Sequence, residues 1–169
     1  MAENYLNPLA TTSDVMRLNT YKIIVSGVDG SQDLSMLCNK CTLKLPQSTP
    51  IELQWIGGQT NFGGRQQGGI DFQMSFIVGV QEGDTLTALY NWRNLVFHHE
   101  NGQIGLAADY KKMMNITCYD PSMQTVRFKW DLTGVFPISI SDIPLDVSQD
   151  GPMIIDCSFR ADKIERSKG

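Results

Sequence analysis

From Ile70 to Val80 the chain alternates: Ile70, Phe72, Met74, Phe76, Val78 and Val80 fall on one side, Asp71, Gln73, Ser75 and Gly79 on the other, with Ile77 the single apolar intruder. Side chains of a strand point to opposite faces in turn, so this run predicts a long strand with one face in a core and one in water. It is preceded by the apolar stretch Ile51 to Ile56 and a thirteen-residue loop, Gly57 to Gly69, that holds six glycines. Such a loop, joining two strands and carrying no catalytic set, points to a chain that makes contacts rather than performs chemistry.

The rest of the sequence fits a mainly β protein. Tyr21 to Val28 and Leu34 to Leu45 read as strands of a hairpin turning at Asp29-Gly30 and ended by Pro46. Ile51 to Ile56 and Ile70 to Val80 form the next pair. At Asp84 the period changes: Leu86, Leu89, Tyr90, Arg93, Val96 and Phe97 recur at helical spacing to about Glu100, with Asp84 as N-cap and Asn101-Gly102 as the stop. Lys111 to Tyr119 and Gln124 to Val135 predict a further hairpin around Asp120-Pro121-Ser122-Met123. Residues 137 to 152 show no regular period, and Met153 to Asp162 alternates as a last strand.

The expected fold is an antiparallel sandwich or barrel of about seven strands with one flanking helix. Residues 1–20 read as an arm whose Tyr5, Leu6 and Leu9 need a partner surface, 21–164 as the barrel domain, and 165–169 as a flexible end.

Charge narrows the function. The formal net charge is −4, which gives no electrostatic reason to grip DNA, since phosphate binding rests on lysine and arginine displacing counterions. No apolar run reaches the ~18 residues of a spanning helix, and no basic segment precedes an apolar one at the N-terminus, so a soluble chain made in the cytoplasm is expected. His98 and His99 are adjacent at the expected helix end, where they suit its partial negative charge but cannot share a site. The glycine-rich loop lacks the lysine-serine or lysine-threonine ending of a phosphate-binding loop and opens a strand, not a helix. No catalytic residues, metal ligands or cofactor are expected.

Cys38 and Cys41 form a Cys-x-x-Cys pair, while Cys118 and Cys157 stand alone. On a regular strand a separation of three puts Cys38 and Cys41 on opposite faces, so without a bulge they cannot share a metal or a local disulfide. Buried thiols are the leading reading, with cross-linking between subunits or a redox function the alternatives. Trp55, Ile56, Asn61, Phe62, Arg65 and Gln66 put contact side chains in or beside the glycine-rich loop and mark it as an intermolecular contact. The polar sheet faces Asp71, Gln73 and Ser75, Arg127, Lys129 and Asp131, and Asp156, Ser158 and Arg160 face solvent, either bulk water or an enclosed channel.

The order of these features resembles the tail tube proteins of contractile-tailed bacteriophages, related in fold to the haemolysin-coregulated protein of type VI secretion. The resemblance runs from about Tyr21 to Ile164. It rests on Tyr21-Lys-Ile-Ile-Val, the strand ending at Leu45-Pro46, the long hairpin of residues 51–80, the helix with Trp92, Asp109-Tyr-Lys-Lys112, Leu132-Thr-Gly-Val-Phe-Pro-Ile138 and Leu145-Asp-Val147. It implies six-fold rings that stack into a hollow tube inside a sheath, with baseplate and tail terminator proteins at the ends. The tape-measure protein and genomic DNA would pass through the lumen without specific binding. It also implies a place in the virion tail, assembled in the host cytoplasm. A bacteriocin or secretion tube, a baseplate tube initiator, and a small ligand-binding β-barrel are the alternatives.

Overall fold

The computed structural model describes residues 16–28, 37–66, 68–80, 85–143, 145–146, 148 and 150–168. Tyr5, Leu6, Leu9, Asp29-Gly30, Asp84 and Val147 lie outside them. Nine strands are described: β1 (Tyr21–Ser26), β2 (Cys38–Thr42), β3 (Ile51–Trp55), β4 (Gly58–Phe62), β5 (Ile70–Ile77), β6 (Lys112–Tyr119), β7 (Val126–Ile140), β8 (Ile154–Ala161) and β9 (Lys163–Lys168). Two helices, α1 (Thr85–Val96) and α2 (Ala107–Tyr110), separate β5 from β6.

Seven strands form one antiparallel sheet in the order β1-β6-β7-β8-β5-β2, with β9 also paired to β7. The sheet curls, and its inner face meets α1. Ile23, Val25, Met114, Ile116 and Leu132 from one half pack with Phe72, Met74, Phe76, Ile155, Cys157 and Phe159 from the other, and α1 adds Ala88, Leu89 and Trp92. The Tyr21 hydroxyl, donating to the Cys38 carbonyl at 3.4 Å, ties the first strand of the order to the last. This is the expected mainly antiparallel β architecture.

β7 makes the curl. Residues up to Val135 pair with β6, residues from Phe136 pair with β8, and Phe128 to Thr133 also pair with β9. Gly134 sits at the change of partner with φ +69°. A side chain there would be strained by its backbone and would overlap the Asp162 carboxylate. Pro137 lies at a register shift against β8, a place where a residue without an N–H does not break a ladder. That is why β7 runs on to Ile140 although the expected strand ended at Val135.

The pairing expected from proximity in sequence differs in three places. β1 pairs with β6 rather than β2, and β2 pairs with β5. Ile51 to Trp55 pairs with Gly58 to Phe62, inside the supposed glycine-rich loop, rather than with β5. Residues 165–168 of the end expected to be flexible belong to β9 instead. Its Ile164 packs on the core, and the Arg166 guanidinium lies 4.7 Å from the Phe128 ring centroid.

α1 stops at Val96, a turn before the expected end. His98 and His99 lie in a tight return in which the His98 N–H donates to Gln103 O at 2.9 Å and Gly102, φ +68°, turns the chain. The buried face of α1 is Thr85, Ala88, Leu89 and Trp92, so Tyr90 and Arg93, assigned to the apolar stripe, are not part of it. Trp92 sets this rotation: its indole is 1% exposed, lies 5.6 Å from the Phe159 ring, and donates to the Tyr110 carbonyl at 2.7 Å.

Candidate functional site

The β3–β4 hairpin stands outside the main sheet, its two strands paired only with each other. Ile51 faces Phe62, Leu53 faces Thr60 and Trp55 faces Gly58, while Glu52 faces Asn61 and Gln54 faces Gln59. Opposed residues of an antiparallel pair share a side, so Ile51, Leu53, Trp55 and Phe62 make one apolar face and the other is polar. All four remain more than half exposed, and Ile56 at the tip is wholly so. Gly57, φ +102°, closes the tip in a backbone region that suits glycine. The ladder continues to a bridge between Ser48 and Gln66 and to the Thr49 N–H donating to Arg65 O at 3.2 Å.

The contact residues expected from sequence therefore do not form one patch. Trp55 and Phe62 share the apolar face, Ile56 caps the tip, Asn61 is on the polar face, and Arg65 and Gln66 are at the base. Ile51 and Leu53 belong to the face and were missed as contact residues. Their period-two spacing with Trp55 was the available signal. A two-stranded hairpin is marginal by itself in water, and an uncovered apolar face on one is best satisfied by another surface.

The nine polar-face residues divide between two surfaces. On β5 and β8, Asp71 lies opposite Arg160, Gln73 opposite Ser158 and Ser75 opposite Asp156, in one continuous ladder. The Arg160 guanidinium grips Asp71 through both oxygens, at 2.6 and 2.9 Å, and the Ser75 hydroxyl donates to Asp156 at 2.5 Å. Hydrogen bonding to Arg160 holds the Asp71 carboxyl below its ordinary range. Lys129 and Asp131 lie instead on the outer face of β7 beside β6 and β9, as an ion pair at 3.1 Å that also accepts from Ser167. Arg127, exposed, precedes them on the same strand.

A bulge at Asn39 overturns the expectation for the Cys-x-x-Cys pair. Cys38 lies opposite Phe76 and Cys41 opposite Met74, so both thiols turn to the core side. Burial pushes Cys38 up to about 11 and Cys41 to about 12, and raises Cys118 above its ordinary value. Cys157, 1% exposed, is pushed up to about 12 by the same cause. All four are free thiols. No group of three or more His, Cys, Asp or Glu side chains placed to hold a metal occurs among the described residues. No described helix is long and apolar enough to cross a membrane.

Two of the motifs that carry the resemblance, Asp109-Tyr-Lys-Lys112 and Leu132-Thr-Gly-Val-Phe-Pro-Ile138, converge on one joint. Lys111 reaches Asp162 at 2.6 Å across Gly134, and the Tyr110 ring stands edge-on to Phe136 at 5.4 Å. Lys112 pairs with Val135.

No protein-family model and no curated protein matches the sequence. Solved structures do. A chain of the sheath-tube complex of the PVC extracellular contractile injection system, in its extended state, superposes with a TM-score of 0.67 at 16% identity, over 97% of this chain and 98% of that one. The chain has the fold of the tube proteins of contractile injection systems. A chain of the tube terminating cap of the anti-feeding prophage gives 0.71 at 14% identity, over 94% of both chains. A chain of the sheath/tube terminator of the PVC system gives 0.71 at 15%, over 92% and 99%. Within the tube fold, the joint of Tyr110, Lys111, Gly134 and Phe136 is where β7 changes its partner from β6 to β8, so these motifs mark architecture rather than chemistry.

Proposed function

We propose that the chain is the subunit of a phage tail tube, in which rings of six copies stack into a hollow conduit for DNA inside a contractile sheath. The apolar face of the β3–β4 hairpin, uncovered on a body with the tube fold, is the observation that carries this reading. Covering Ile51, Leu53, Trp55 and Phe62 on the next ring supplies about half of the ~1.5–3 kcal/mol of a fully exposed side chain for each, since each is already nearly half covered, and the gain repeats at every copy. The β5–β8 face lines the lumen. Its Asp71–Arg160 ion pair and amide and hydroxyl groups present no run of cations to which phosphate would stick, so DNA and the tape-measure protein pass without specific binding. The exposed side of α1 meets the sheath, baseplate and terminator proteins close the ends, and the assembled tube belongs to the virion tail.

Negative-stain microscopy across a concentration series tests this. Hollow rings or stacked tubes of uniform width are expected for the unchanged chain, and folded single subunits for the Leu53→Glu/Phe62→Glu pair. Tubes unaffected by the substitutions would remove the hairpin from stacking, and a monomer at every concentration would overturn self-assembly. Similarity to a terminating cap favours a second reading, a chain that closes a tube in one ring. Rings that never stack would favour it.

A further inference from the structure

A groove of about 390 Å3 opens beside the seam between β1 and β2. Tyr21, Leu43, Ile116 and Trp130 line it, with the thiols of Cys41 and Cys118, and its near wall is Met16, Arg17 and Leu18. The lining is mainly apolar and uncovered: Leu18 is 98% exposed and Leu45 59%. Exposed apolar concavities of this kind are covered in stable proteins or serve as contacts.

The chain preceding the groove matches it. Fifteen residues come before Met16, and they carry the cluster Tyr5-Leu6-Asn7-Pro8-Leu9 followed by Thr11-Thr12-Ser13-Asp14, residue types that reverse a chain. Seven steps separate Leu9 from Met16, roughly 23–25 Å when extended, ample to turn back over a groove whose wall is the point of attachment. We propose that Tyr5, Leu6 and Leu9 of the same chain close over this groove in the free subunit. A short tether presents the cluster at an effective concentration on the order of millimolar, above what a second copy reaches in dilute solution. The docking needs one chain only and does not depend on tube assembly.

The groove thiols report on it. The full chain, a chain beginning at Asp14, and full-length Leu6→Asp/Leu9→Asp are treated with N-ethylmaleimide at fixed pH and at concentrations where each is monomeric, and labelling is followed site by site by mass spectrometry. A segment docked for about 80% of the time lowers the reactive fraction about fivefold. Cys41 and Cys118 should therefore label about fivefold faster in both altered chains, with Cys157 unlabelled throughout as the measure of an intact core. Equal rates in all three chains overturn the proposal. Protection that appears only as concentration rises also overturns it, because a second copy's arm or hairpin is then the occupant. If the shortened chain labels at Cys157 it has lost its fold, and the full-length double variant decides.

Discussion

The carboxylate of Asp162 fills the space that a side chain on Gly134 would need. Asp162 lies between β8 and β9, and its backbone N–H donates to Thr133 O at 3.0 Å. The same carboxylate takes the ammonium of Lys111, whose charged form it favours, raising the lysine above its ordinary range. Three elements are thereby pinned where β7 passes from one half of the sheet to the other.

Gly134→Ala should destabilise the chain by about 2 kcal/mol or more, from the left-handed backbone alone about 1–2 and from displacement of Asp162 in addition. Thermal unfolding should show a drop of at least about 4 °C, at the lower bound of 2–4 °C per kcal/mol for a chain of this size. An unchanged midpoint would show that β7 can turn without glycine.

Trp92→Phe keeps a ring against Phe159 but removes the donor to the Tyr110 carbonyl. A loss of about 1–3 kcal/mol is expected in urea unfolding with the slope unchanged. A loss below about 0.5 kcal/mol would mean that the indole N–H does not hold α2 to α1.

Ending the chain after Asp162 removes β9. It takes away the strand that pairs with Phe128 to Thr133, the packing of Ile164 and the cation over Phe128. The shortened chain should lose about 2 kcal/mol or more of stability, with Trp130 more exposed to a fluorescence quencher. Unchanged stability and quenching would show that β9 adds nothing to the fold.

Alkaline pH should unfold the protein early. The thiols of Cys41 and Cys157 rise from 9.0 to about 12 and the Tyr21 hydroxyl from 10.0 to about 12, burial being the largest cause in each. Above pH 9 the unfolded chain releases these protons and the folded chain keeps them, so stability is lost as pH climbs from about 9 to 12. Cys157→Ala should flatten this decline in a series of thermal midpoints, whatever it costs in packing at neutral pH. An equal slope in both chains would refute the assignment.

The sequence by itself determined which faces are buried. The alternation of Phe72, Met74 and Phe76, and of Ile155, Cys157 and Phe159, is the core of β5 and β8, because burial selects side chains every second residue. The mainly antiparallel class followed. Only the tertiary structure decided which strands are neighbours. Backbone N–H and C=O groups are nearly the same at every residue, so the pattern that names a buried face does not name the partner across the ladder. Hence β3 chose β4 over β5, and β9 found β7 although its charged residues read as a solvated end. The bulge that turns Cys38 and Cys41 to one side, and the Gly134–Asp162 contact that bends β7, likewise depend on residues distant in sequence, where no local period reaches.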